Sequence, residues 1–256
     1  MEFIDTHCHI HSDFYKLDPD MVIKEAREDG IIKAICVGEE LEDSVKAIEF
    51  VAKRDGLWAS VGIHPHEAKD YPPKSPKLEE FSALATRPKV VAIGECGLDF
   101  YYNHSPKEDQ ARLLHLQIEL ALKHDLPMIF HVRDAFKEFW PVFDQYKGIR
   151  GVMHSFTATK KELEQVLSRG LYVGQNGIIT FTKKAEQLEA AKAIPLDKIV
   201  LETDAPFLTP APYRGIIAQL KHVRVTAKFL AELRGESLQE FAASTTRNAT
   251  KLFQIS

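Results

Sequence analysis

The chain has 256 residues, 45% of them hydrophobic and 27% charged, with a formal net charge of −4. This composition excludes a disordered or fibrous chain, and no run of 18 uncharged apolar residues is present to span a bilayer. The 33 Lys and Arg set against 37 Asp and Glu argue against a broad basic surface for nucleic acid. In chain order, apolar or β-branched runs predict strands at Phe3–Asp5, Ala34–Val37, Leu57–Val61, Val90–Ile93, Met128–Phe130, Gly151–Met153, Leu171–Val173 and Ile199–Leu201. Helical spacing fills the intervals, as in Leu41–Arg54 and in Lys107–His124, where Leu113, Leu116 and Leu120 form one stripe and Pro127 follows.

Eight strands, each followed by a helix, in a chain of roughly 250 residues predict an α/β TIM (β/α)8 barrel occupying residues 1–256 as a single domain. An open doubly wound sheet is the alternative. The glycine-rich dinucleotide fingerprint that would accompany it is absent after the first strand, where Thr6-His7-Cys8-His9 stands. Cys8, Cys36 and Cys96 are odd in number and have no framework spacing, which fits a reducing compartment. The N-terminus has no basic region followed by an apolar run, so a cytoplasmic protein without a secretory leader is expected.

Metal-ligand residue types recur just after the predicted strands: His7 and His9, His64 and His66, Glu95, His131, His154 and Asp204. In an eight-fold barrel these positions open on the face that carries active sites. His7 and His9, at i and i+2, project to the same side of a strand and can lean onto one cation, whereas Cys8 points away. Glu95 lies between Gly94 and Gly97 after the apolar Val90–Ile93, where an unpaired carboxylate is expensive. Its two oxygens suit a bridge. His7, His9 and Asp204 complete one site and His131 with His154 the other, so that two divalent cations clamp a displacement and activate a water. His104, His115, His124 and His222 lie in loop or helical surroundings and are expected to be packing or surface residues, and His11 is not expected to be a ligand.

These residues resemble those of the TatD family of metal-dependent deoxyribonucleases. The resemblance is carried by Asp5-Thr6-His7-Cys8-His9, Gly62-Ile63-His64-Pro65-His66, Gly94-Glu95-Cys96-Gly97-Leu98-Asp99, His131 with Arg133 and Ala135, His154-Ser155-Phe156-Thr157, and Glu202-Thr203-Asp204-Ala205-Pro206-Phe207-Leu208, with Asn248 and Leu252-Phe253 near the C-terminus. It implies a TIM barrel with His7, His9, Glu95, His131, His154 and Asp204 as ligands. Two positions depart from the family's pattern. Ser155 replaces a common cysteine, and Arg214-Gly215 leads into Ile216–Leu220 where the family often has Lys-Arg-Asn and a proline.

The expected function is metal-dependent cleavage of DNA phosphodiester bonds, exonucleolytic on single-stranded ends, with Asp204 and Glu95 catalytic. His64, Arg133 and Arg214 are the expected substrate contacts. Phe100, Tyr101 and Tyr102 are placed either to stack on unpaired bases or to pack over the barrel rim, and Asp99 either to orient a ligand or to cap the turn. A metal-dependent amidase or deacylase is the first alternative, although Lys89 lies at the wrong end of its strand to serve as a carbamylated bridge. A non-catalytic metal-binding partner protein is the second. Imidazole-rich ligation suits zinc or manganese and phosphate chemistry suits magnesium, so the cations are expected to be Mg, Mn or Zn. The expected partner is single-stranded DNA, or another phosphodiester substrate, with no membrane; the protein is expected to be a monomer.

Overall fold

The computed structural model describes residues 1–255. Its strands are β1 (Phe3–Cys8), β2 (Ile31–Val37), β3 (Leu57–Val61), β4 (Val90–Asp99), β5 (Met128–Arg133), β6 (Gly151–Met153), β7 (Tyr172–Gln175) and β8 (Ile199–Leu201). They form one eight-stranded sheet in sequential order, with parallel pairing where register is defined. Helices α1 (Pro19–Glu28), α2 (Leu41–Ala52), α3 (Pro76–Leu84), α4 (Lys107–Lys123), α5 (Phe136–Phe143), α6 (Lys160–Ser168), α7 (Ala185–Ala193) and α8 (Val223–Arg234) alternate with the strands, and α9 (Leu238–Phe253) follows. This is the (β/α)8 barrel fold expected from the sequence. Among the described residues, no helix is long and apolar enough to cross a membrane.

The chain divides into two compact units, Met1–Cys36 with the chain from Ser155 onward, and Val37–His154. In the first unit, α1 starts where Asp18 accepts from the amides of Asp20 and Met21 with Pro19 next in line, and α6 starts in a Thr159–Glu162 capping box. β1 is buried throughout. The C-terminal α9 is fastened to the start of β8 by Asn248, whose amide donates to the carbonyls of Leu196 (2.9 Å) and Ile199 (2.8 Å). That contact gives Asn248, part of the C-terminal resemblance, a structural task.

The second unit is centred on β4 and β5, with Phe130, Phe139, Trp140 and Phe143 packed as one aromatic cluster. Three strands, β3, β6 and β8, have the bounds expected from sequence. β4 does not: it runs six residues past Ile93, to Asp99. Gly94 and Gly97 resemble strand terminators, yet at φ 144° and 149° they carry the strand onward against β5. A Cβ on Gly97 would lie 1.9 Å from the His131 carbonyl oxygen. Only glycine permits that approach. The β4–β5 register shifts between Ile93 and Cys96, which places Glu95 in an irregularity of the kind that re-aims a side chain.

The buried stripe of α4 includes Leu113 and Leu120, as expected, but it also takes in Gln110, Leu114, Gln117, Ile118 and Ala121, whereas Leu116 is half-buried. Gln117 accepts from the Ile63 amide (2.8 Å) and donates to the Ile63 carbonyl (3.0 Å). Gln110 treats Asp99 in the same way, at 2.8 and 3.2 Å. The helix thus supplies polar groups that satisfy the backbone where β3 and β4 end, in place of a purely apolar face.

Candidate metal centre

In the first unit, β1 and the segment after β8 run side by side. The Asp204 amide donates to the His7 carbonyl (2.8 Å), and the His9 amide donates to the Ala205 carbonyl (2.7 Å). Asp5 completes the join: its buried carboxyl group accepts from the Thr203 amide (2.9 Å) and the His7 amide (3.2 Å), and the Thr203 hydroxyl lies 2.5 Å away. Burial pushes the Asp5 carboxyl up to about 8 in spite of these bonds. His7 lies within β1 rather than after it, because the strand continues to Cys8.

The backbone ladder brings three predicted ligands together. Nε2 of His7 is 3.1 Å from Nε2 of His9, and each lies 3.5 Å from Oδ1 of Asp204. Two donors bound at 2.0–2.1 Å to one ion stand roughly 2.9–3.4 Å apart for right-angled to tetrahedral geometry. Two imidazole nitrogens and a carboxylate oxygen converging at this spacing fit a divalent cation. Cys8 is buried and its thiol faces the Ile35 carbonyl, as its opposite parity predicts, and the His11 ring is 6.3 Å from that of His9.

The second unit gathers the other predicted ligands around Glu95. Its buried Oε1 lies 2.7 Å from Nδ1 of His131 and 3.7 Å from Nε2 of both His64 and His154. The opposite face of the His131 ring is fixed, with Nε2 2.9 Å from Oδ2 of Asp99. Asp99, fully buried, also meets Nε2 of His66 (3.0 Å) and accepts from the amides of Tyr101 (2.9 Å) and Tyr102 (3.0 Å). It both fixes the ring of His131, a candidate ligand, and caps the turn. Burial disfavours its charge, but hydrogen bonds from His131 and Tyr102 prevail and hold it well below the usual carboxylate range. Burial likewise opposes a charge on His131, yet Asp99 and Glu95 together raise it to about 9. In the metal-free protein the ring therefore carries both protons, Nε2–H facing Asp99 and Nδ1–H facing Glu95, and an ion bound at Nδ1 would displace the proton there while Asp99 kept its place behind the ring.

His64 differs. Its Nδ1 accepts from the His66 amide (3.2 Å), and burial followed by the neighbouring His131 lowers its pKa well below the ordinary value. A neutral ring with Nδ1 so occupied carries its proton on Nε2. His64 is thus a hydrogen-bond donor facing Glu95 rather than an imidazole with a free lone pair there.

The remaining expectations fall as follows. The Arg133 guanidinium lies over Tyr101 (4.1 Å) and Tyr102 (4.6 Å), so these tyrosines hold an arginine. Arg214 lies 3.8 Å over Phe181 and donates to the Thr209 carbonyl (2.8 Å). Lys89 donates to the carbonyls of Val51 and Arg54 before β4 begins, which removes it from any bridging role. His115 pairs with Tyr146, and His222 accepts from the Gln219 amide. Ser155, the departure beside His154, accepts from Asn176 at 2.8 Å.

Glu202 was not singled out from sequence. It is buried, accepts from the Ser155 amide at 2.6 Å, and lies where a Cβ on Gly174 would meet its Oε2 at 2.4 Å. The available signal was a second carboxylate directly after an apolar strand, the same signal that marks Asp204.

A family model described as TatD related DNase matches residues 4–254. The chain is 34% identical over 253 residues to the uncharacterized metal-dependent hydrolase YabD of Bacillus subtilis (strain 168), covering 98% of each. It is 36% identical over 259 residues to the 3′-5′ ssDNA/RNA exonuclease TatD of Cronobacter sakazakii, covering 97% of each. Among solved structures, the TatD homologue YjjV of Escherichia coli K12 superposes with a TM-score of 0.92 at 28% identity, over 99% of this chain and 98% of that one.

Proposed function

The chain belongs to the family of TatD-related DNases, and from that premise we propose that it is a metal-dependent hydrolase cleaving DNA phosphodiester bonds, exonucleolytically at single-stranded ends. The observation that carries this reading is the convergence of His7 Nε2, His9 Nε2 and Asp204 Oδ1 at spacings that suit a cation. In it, His7, His9 and Asp204 would hold one divalent ion, and Glu95, His131 and His154 would hold a second. Imidazole nitrogens favour zinc or manganese, and the carboxylates also accept magnesium.

Bound ions supply Lewis-acid polarisation of the phosphate and lower the pKa of a water nucleophile. The protein's own groups supply the rest. Asp204 orients the nucleophilic water and takes its proton as general base. His64 offers Nε2–H to a phosphate oxygen, and Arg133, held flat on its tyrosines, offers its forked edge to another. Arg214 adds a second guanidinium.

One panel tests the reading: single-stranded DNA, blunt duplex and an aminoacyl ester in the same buffer, with and without chelator. Chelator-sensitive cleavage, faster on single strands than on duplex, is expected. Chelator-sensitive ester hydrolysis with no phosphodiester cleavage would make the protein a deacylase.

A further inference from the structure

Two phenylalanine rings in the first unit lie side by side with much of their surface in water. Phe14 is 42% exposed and Phe207 49% exposed, their centroids 5.7 Å apart and their planes inclined by 33°. Such rings normally contribute their large apolar area to a core, and an exposed adjacent pair keeps that area open to a ligand. Both hang from short turns that begin at candidate metal ligands. The Ser12 amide donates to the His9 carbonyl (3.1 Å), and Phe14 comes two residues later. The Phe207 amide donates directly to the Asp204 carbonyl (2.8 Å). Through these turns the backbone that carries the pair is tied to His9 and Asp204.

We propose that Phe14 and Phe207 form a stacking platform for a nucleobase at the single-stranded end of the substrate, an inference that rests on the nuclease reading above. A base presents a flat π face that aromatic side chains recognise without reading its sequence. The ring spacing selects the mode. A base between two parallel rings needs roughly 7 Å, twice the ~3.5 Å contact distance. At 5.7 Å the phenylalanines exclude insertion, so the base lies over their outer surface. Arg214, with one face laid on Phe181, keeps an edge for a phosphate. A paired duplex end keeps its bases stacked on each other, so the platform favours an unpaired strand.

The test compares two fluorescein-labelled single-stranded DNA oligonucleotides, one complete and one with abasic residues at the three positions of each end. Wild type, F14A/F207A and F14Y/F207Y are examined for binding by anisotropy in chelator and for KM with metal present. Wild type should prefer the complete oligonucleotide by roughly 5- to 100-fold. The alanine pair should bring that ratio close to one, and the tyrosine pair should keep it. An unchanged ratio in F14A/F207A, or an equal loss of affinity for both oligonucleotides, would overturn the platform while leaving the nuclease reading in place. Wild type that shows the binding preference but cleaves neither oligonucleotide would overturn the nuclease reading and leave the platform. Absence of both binding and cleavage would overturn both.

Discussion

Asp99 is the residue on which the second-unit cluster turns. One carboxylate oxygen faces two imidazoles and the other accepts two amides, so its position is fixed by four partners. Replacing it with Asn preserves shape but removes the charge behind His131. We expect Asp99→Asn to weaken metal binding by about 10- to 100-fold, measured by chelator competition on the metal-free protein rather than by turnover. Equal affinity in wild type and variant would show that His131 needs no carboxylate behind it. A pH dependence follows from the same contacts. His131 is raised to about 9 in the folded protein, against about 6.5 in an unfolded chain. A raised histidine contributes stability that is fully present below about pH 6.5 and is lost as pH climbs through about 9. In metal-free protein, the stability gap between wild type and His131→Gln should therefore narrow from pH 6.5 to 9. Urea unfolding at several pH values reads it, and a constant gap would contradict the charged state assigned to His131.

At the scale of elements, α4 holds the ends of two strands through its glutamines. Gln110→Leu leaves the amide and carbonyl of Asp99 without their side-chain partners in a buried place. A loss of about 1–3 kcal/mol is expected, checked by chemical denaturation, and no measurable loss would show that other groups replace the clip. These glutamines were not legible in sequence, because a Gln among leucines reads as the polar side of an amphipathic helix. β4 was misjudged for a related reason: glycine punctuates most strands, and its use for close approach depends on a neighbour 34 residues away, as Gly97 and His131 are. Leu57–Val61, Gly151–Met153 and Ile199–Leu201 were legible to the residue, since their apolar runs end at polar or turn-forming groups. Of the candidate ligands, the histidines stood out by type and spacing. Glu202 did not, because its partner, the Ser155 amide, lies 47 residues away along the chain.

For the whole molecule, the distribution of charge matters more than the net value of −4. Many basic side chains are already matched: Lys77 with Glu42, Arg150 with Asp125, Lys192 with Glu189, Lys221 with Glu25 and Arg234 with Glu236. With Arg133 and Arg214 as the phosphate contacts, about two counterions are displaced from a single strand, giving a slope of roughly −1.4 for log affinity against log salt. Affinity for single-stranded DNA should fall less than about tenfold between 50 and 200 mM salt. A steep loss, by a thousandfold, would reveal a basic footprint wider than these two arginines.

The division of the chain has a consequence in time as well as in space. Residues 37–154 are contiguous, so Glu95 leaves the ribosome in one stretch with His64, Asp99, His131 and His154. The other cluster is assembled from both extremities of the sequence: Asp204 follows His9 by 195 residues. At bacterial-like elongation of about 5–20 residues per second, the nascent chain carries its two imidazoles for about 10–40 s before the carboxylate that joins them exists. The last helix then arrives with Asn248 to fasten the start of β8. The N-terminal histidine pair is the first half of a candidate ligand set to be made and the last to be completed, so any ion it acquired during synthesis would be held by an unfinished set of donors.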